Sequence, residues 1–274
     1  MAGIFGILNV TRDSFSDGGR YFDPDAAVAH GRSLIEAGAD VVDVGAESTH
    51  PDAEAVSAAT EIARLQPVVE RLHDAKFKVS VDTNKPEVMR AMNSLSVAWL
   101  NDVAGFRTEA SVAAAAEGDA GLVVMFARSG GGKAHREQRD AADVVDEALA
   151  FFDERIASLT AAGVARERLV LDPGMGLFLG AGPLPSVSML RGLDRLRAFG
   201  LPLLVSVSRK SFLGELTGRT TGARGAATLA AELYAATRGV EWIRTHDPAS
   251  LRDALAVWEA LGVGIGGAPR GPDR

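Results

Sequence analysis

Four polar side chains, each placed where an apolar run ends, bound the chemistry open to this 274-residue chain. Asp82 follows VSV, Asn101 follows AWL and Asp172 follows LVL. Lys210 lies in the turn Ser208-Arg209-Lys210-Ser211 behind LPLLVSV. Two carboxylates, one amide and one ammonium suit a flat nitrogen heterocycle with neighbouring ring N–H, amino and carbonyl groups. A second set, Asn9, His50, Arg244 and His246, suits a phosphate or diphosphate, with room for a divalent metal on oxygen ligands. Phe178, Pro51 and the stem of Lys210 can wall an apolar slot. A helix starting near Ser211 would add free N–H groups for an anion. The bland alternative for the same residues is a polar plug or a capping turn.

The elements that must position these groups alternate along the whole chain. Short apolar runs at 4–8, 41–44, 79–81, 98–100, 122–125, 169–171, 203–207 and 242–244 read as strands buried on both faces. Amphipathic, alanine-rich segments at 24–37, 58–74, 86–94, 109–117, 141–162, 186–199, 225–238 and 248–261 read as helices. Strict alternation predicts a parallel sheet, and eight repeats at this length predict an α/β fold of the (β/α)8 TIM-barrel type. The competitor is an open doubly wound sheet, but no GxGxxG follows the first strand. A barrel carries its active site where the strands end. Asp43, Asp82, Asn101, Asp102, Asp172, Lys210, Arg244 and His246 all fall at or near such ends, where each needs partners if buried. The expected organisation is one barrel over 1–261 and a loose, glycine-rich tail over 262–274.

Composition closes off other classes. The formal net charge is −7, whereas a nucleic-acid binder is more often basic, so anion binding must be local. There is no cysteine, which removes disulfides, thiol nucleophiles and cysteine zinc sites. No apolar run approaches the roughly 20 residues needed to cross a membrane. MAGIFGILNV enters a strand-like run with no basic leader, so a soluble cytoplasmic protein is expected.

Taken in order, ILNVTRDSFSDGG, AESTHPDA, SVDTNKPEV, LNDVAGF, LDPGMG, SVSRKSFLG and IRTHD resemble the dihydropteroate synthase family over nearly the whole chain. HPDA, LDPGMGLFLGAGP and LPLLVSVSRKSFLG are most similar to its sulfonamide-insensitive Sul-type members. The resemblance implies loss of diphosphate from a dihydropterin methylene and its capture by the amine of 4-aminobenzoate, in folate biosynthesis. It implies pterin binding by Asp82, Asn101, Met125, Asp172 and Lys210, and diphosphate binding by Asn9, His50, Arg244 and His246. It places aminobenzoate at Thr49, Pro51, Phe178, Ser208 and Ser211. It also implies Mg2+ held through Asn9, and a homodimer. Asp82, Asp172, Lys210, Arg244 and His246 would carry the catalysis.

The chain departs from the family pattern at several places. Arg12 replaces a usual proline, Ala46 a glycine, His50 an arginine and Phe126 a histidine. After the sixth strand the family's phenylalanine–glycine–lysine becomes Leu177-Phe178-Leu179-Gly180, with a short insertion beside the aminobenzoate slot. Other readings of the same residues are a corrinoid-dependent methyltransferase barrel that binds methyltetrahydrofolate, a lysine Schiff-base aldolase through Lys210, and a non-catalytic pterin-binding protein.

Overall fold

A computed structural model describes residues 1–11, 23–49, 52–130, 132–137 and 139–262. The strands are β1 (Gly3–Asn9), β2 (Val41–Gly45), β3 (Val79–Asp82), β4 (Trp99–Asp102), β5 (Gly121–Met125), β6 (Leu169–Asp172), β7 (Leu204–Val205) and β8 (Trp242–Thr245). The helices are α1 (Pro24–Glu36), α2 (Ala58–Asp74), α3 (Pro86–Ser94), α4 (Glu109–Ala116), α5 (Val144–Ala161), α6 (Leu184–Arg191), α7 (Leu193–Leu196), α8 (Ser211–Thr217), α9 (Gly225–Thr237) and α10 (Pro248–Ala260). Every strand pairing is parallel, in the order β6-β5-β4-β3-β2-β1-β8-β7. The ring closes between β6 and β7, where Leu171 bridges Leu203 and its N–H donates to the Pro202 carbonyl at 2.9 Å. The chain is therefore the expected (β/α)8 barrel. Among the described residues, no helix is long and apolar enough to cross a membrane.

Local sequence sets the helix starts. Asp23 accepts from the N–H groups of Asp25 and Ala26 ahead of Pro24, and Ser57 caps α2 through Thr60. Asp247 caps α10 through Ser250, with Pro248 at the first turn. These positions supply acceptors for N–H groups that have no partner inside the helix. Two expectations change. The predicted helix at 186–199 begins earlier and breaks at Gly192 into α6, α7 and a 3-10 turn. A side chain at Gly192 would come within 2.5 Å of Val145, so α5 is packed too closely for anything larger. The regular ladder of β7 covers only Leu204 and Val205, and Leu203 makes the closing bridge.

The barrel interior is layered. Phe5, Val41, Val123, Val170 and Leu204 form a buried cluster against Trp99 and Trp242. The rings of Phe5, Trp99 and Trp242 meet edge to face, with centroids 5.1–5.9 Å apart. Gly3 and Gly121 make room, since an added Cβ would lie 2.3 Å from the Trp242 ring and 2.2 Å from the Trp99 ring. Side chains two residues along a strand share a face. Above this apolar floor the strands accordingly present Asp43, Asn101, Met125, Asp172, Ser206 and Arg244.

Candidate active site

The polar layer converges on one guanidinium. Arg244 donates from Nε to Asp43 Oδ2 at 2.5 Å and from Nη2 to Asp82 Oδ2 at 2.9 Å. Asp43 is fully buried, and its Oδ1 has no hydrogen-bond partner. Asp82 ends β3, and burial pushes its carboxyl up to about 7. Arg244 pulls it down, and Asp43 and Glu61 push it higher. Asp172 ends β6, 2% exposed, with Oδ1 accepting the Gly174 N–H at 2.8 Å. Burial lifts it to about 6 against the pull of that N–H, Lys210 and Arg244. Lys210 is pushed down to about 8 by burial and by Arg244. Its Nζ lies 5.1 Å from the centre of the Phe178 ring, a cation–π contact.

A cavity opens among these groups, lined by Thr49, Asp82, Asn101, Val103, Met125, Asp172, Met175, Phe178, Ser206, Lys210 and Arg244. The Asn101 side chain is buried and its Oδ1 has no partner, and Ser206 Oγ is in the same condition. Buried polar atoms are nearly always bonded. Both residues line the cavity, which therefore presents polar side chains to a guest. The sequence-predicted Asp82, Asn101, Met125, Asp172, Lys210, Thr49, Phe178 and Arg244 thus meet at one place.

His246 follows β8 and does not line this cavity; its Nδ1 lies 2.9 Å from Ser208 Oγ. Burial, then Arg209, Arg244, Lys210 and His30, lower its pKa to about 3, so the ring is neutral. Ser211 starts α8, where the sequence placed a helix end. A Cβ added to Gly176 would lie 3.6 Å from Ser211 Oγ and 3.5 Å from Lys210, so this turn touches the exit of β6. Asn9 stands exposed at the end of β1, in register with Gly45. His50, Pro51 and Arg12 lie outside the described residues.

Asp102, a strand-end carboxylate like the others, faces its own loop. It accepts the N–H groups of Ala104 and Phe106, each at 2.7 Å, and so turns the chain after β4. Sequence reasoning missed Ser206, Val103 and Met175 as lining residues. A two-residue period continued from Leu204 past the end of β7 reaches Ser206.

The loop after β5 ties the site together from outside. Its backbone N–H groups at Arg128 and His135 donate to the Phe178 and Leu177 carbonyls at 3.0 and 3.3 Å, and that of Ala134 donates to Thr49 at 3.1 Å. Lys133 reaches the Ala53 carbonyl and Arg136 pairs with Asp52. Glu47, Lys85 and Glu61 form a further pin, Lys85 Nζ meeting Glu61 at 2.6 Å and also binding Glu47.

Among the described residues, no three acidic or histidine side chains gather as a metal cage. Asn9 offers a single amide oxygen. That donor set suits a hard cation brought in on phosphate oxygens, since Mg2+ is usually held by one or two protein groups plus substrate and water.

Comparison with known proteins agrees with this geometry. The model of the family described as pterin binding enzymes matches residues 5–246. The chain is 54% identical over 259 residues to dihydropteroate synthase type-2 of Escherichia coli, covering 94% of this chain and 95% of that one. It superposes on the dihydropteroate synthase of Xanthomonas albilineans solved with 4-aminobenzoic acid, with a TM-score of 0.87 and 42% identity, covering 95% and 93% of the two chains. The same Xanthomonas albilineans enzyme in complex with 7,8-dihydropteroate gives a TM-score of 0.83 at 41% identity, covering 95% and 94%. With a cavity of acids, amide and ammonium at the strand ends and relatives matched along nearly their full length, the chain belongs to the dihydropteroate synthase family of pterin-binding enzymes.

Proposed function

We propose that this chain joins a dihydropterin methyl diphosphate to 4-aminobenzoate, giving dihydropteroate and diphosphate. The observation that carries the residue assignments is the buried, unpartnered Asn101 Oδ1, set between Asp82 and Asp172 in one cavity. Acceptors there suit the N–H-rich edge of a pterin, and Lys210 donates to the ring. Met125 and Val103 pack on its faces.

The leaving diphosphate takes the electron pair of the C–O bond, and positive charge spreads from the methylene into the pterin ring. Asp82 and Asp172 stabilise that charge. Arg244 uses two donors on Asp43 and Asp82, which leaves others for phosphate oxygens, with the His246 imidazole beside them. Asn9 would hold Mg2+, which when bound would supply neutralisation of leaving-group charge. The aminobenzoate nitrogen then attacks the methylene, and its N–H proton passes to the departed diphosphate or to water. Thr49, Phe178, Ser208 and Ser211 hold the aminobenzoate. One preorganised contact of this type is worth about 3 kcal/mol. Alignment of amine and methylene supplies more of the rate.

The test is dihydropteroate formation from the two substrates with Mg2+. Asp82→Asn is expected to lower turnover by roughly a hundredfold or more. Equal rates would reject the role given to Asp82.

The loop after β6 gives a second part to the proposal. Leu177–Gly182 borders the aminobenzoate side, and sulfonamides overlap 4-aminobenzoate but project further. We therefore assign sulfonamide discrimination to this loop. Shortening it should lower the inhibitory sulfonamide concentration, and an unchanged inhibition curve would reject the assignment. We also place the enzyme in the cytoplasm as a homodimer, with residues 1–261 as its one catalytic barrel. Sedimentation of a monomer at working concentration would remove the dimer.

A further inference from the structure

One buried acid has no part in the chemistry above. Glu232 of α9 is 2% exposed, its Oε1 is buried without a partner, and the charge acting on it is another acid, Asp247. Its carboxyl interacts with the Thr245 hydroxyl. Thr245 Oγ1 lies 3.4 Å from Ser208 Oγ, and Ser208 Oγ lies 2.9 Å from Nδ1 of His246. Backbone N–H groups fix the two hydroxyls. That of Asp247 donates to Thr245 Oγ1 and that of His246 to Ser208 Oγ, each at 3.2 Å. A file of proton-carrying oxygens thus runs from the shell between β8 and α9 to the His246 ring.

The two ends of this file start in opposite states. A buried carboxyl without a cation keeps its proton, and burial raises Glu232 to about 8. His246 begins neutral, because burial and the cations Arg209, Arg244 and Lys210, with His30, oppose a further positive charge. An incoming diphosphate reverses that opposition.

We propose that Glu232 is a positioning residue that supplies a proton to the anion pocket through Thr245 and Ser208. As the diphosphate charge arrives beside His246, the Glu232 proton moves to Thr245 Oγ1, the Thr245 proton to Ser208 Oγ and the Ser208 proton to Nδ1 of His246. Three O–H bonds break, and two O–H bonds and one N–H bond form. A carboxylate remains at Glu232, facing the Thr245 hydroxyl, and an imidazolium at His246, facing the anion. Net charge is unchanged, so the site gains a cation without drawing a proton from water. The 3.4 Å step shortens in the complex, as catalytic hydrogen bonds commonly do. Departure of the anion returns the protons along the same path.

This inference rests on the assignment of Arg244 and His246 to diphosphate, and the test separates the two. Inorganic pyrophosphate with Mg2+ is titrated into the full chain, wild type and Glu232→Gln. Histidine 15N resonances are followed, and calorimetry is run in buffers of different ionisation heat. Glutamine keeps a donor toward Thr245 but has no proton to pass on. In the wild type, Nδ1 of His246 should become protonated on binding. At about pH 7.5 Glu232→Gln should bind roughly tenfold more weakly, and it should take up about one more proton from buffer than wild type. The deficit should close as pH falls and solvent supplies the proton. Thr245→Val, which cuts the file, should behave in the same way and serves if the glutamine variant fails to fold. Binding with Nδ1 unprotonated, or equal affinity and proton uptake in wild type and Glu232→Gln, overturns the inference alone. No binding to wild type overturns the anion-pocket assignment and the inference with it.

Discussion

Arg244 and Asp43 are bonded at 2.5 Å inside the barrel, and the same guanidinium reaches Asp82 at 2.9 Å. One cation from β8 therefore holds a carboxylate from β2 and another from β3. Asp43 has no solvent exposure, and Arg244 is the cation paired with it there. The relation explains why a fully buried acid stands beside the cavity without lining it. It fixes the guanidinium and leaves the free N–H groups of Arg244 for a guest.

Removing Arg244 should cost stability as well as activity. Arg244→Gln leaves Asp43 buried without its cation, and breaking a buried pair from one side costs about 3–5 kcal/mol. The denaturant midpoint should fall accordingly, with little change in its slope. The double variant Arg244→Met with Asp43→Leu should recover much of that stability and none of the turnover. An unchanged midpoint for Arg244→Gln would show that the pair is not what keeps Asp43 in place.

Asp172 should impose a pH dependence of known sign. Burial raises its carboxyl to about 6 in the folded chain, against roughly 3.9 when unfolded. Between these values the folded state holds more protons, so its stability falls as pH rises from about 4 to 6. Asp172→Asn keeps an acceptor for Gly174 and has no such titration. Its stability relative to wild type should rise across that window by at most about 3 kcal/mol, and stay level above it. Parallel unfolding curves from acid to neutral pH would contradict the raised carboxyl.

The loop after β5 should control aminobenzoate more than pterin. Ala134 donates its N–H to Thr49, while Arg128 and His135 donate to Phe178 and Leu177, so this loop sets the distance between Thr49 and Phe178, the two residues proposed to hold the aminobenzoate. Ala134→Pro removes one donor. A several-fold rise in KM for 4-aminobenzoate is expected, for about 1 kcal/mol of lost hydrogen bond, with pterin affinity unchanged. A matching loss in both substrates would point to general loosening of the barrel mouth.

Much of this was legible in the sequence, for identifiable reasons. Strands buried on both faces read as plain apolar runs, and their C-terminal ends carry Asp82, Asn101, Asp172 and Lys210 with nothing apolar to hide them. The barrel rule then brings four distant positions together without any contact being known. Other features had no local signal. The break at Gly192 depends on Val145, 47 positions earlier, and such close approach leaves no pattern near the glycine. The bridge from the β5 loop to Thr49 and Phe178 is made by backbone groups, which every residue type carries. Asp102 had the same type and place as Asp82, and only the turn at Gly105 and Phe106, both with positive φ, decides that it faces its own loop. Glu232 is a lone acid in an alanine-rich helix, where solvent exposure would have been the ordinary expectation.

The central claim is that orphaned buried acceptors at the strand ends are there to hold a pterin. Equilibrium binding of a hydroxymethyl dihydropterin to wild type and Asn101→Leu tests it most directly. Leucine keeps the bulk and removes the buried oxygen, so affinity should drop roughly 10- to 100-fold, the equivalent of about 1–3 kcal/mol for one unmade buried bond. Equal affinity in the two proteins, with both folded, would contradict it.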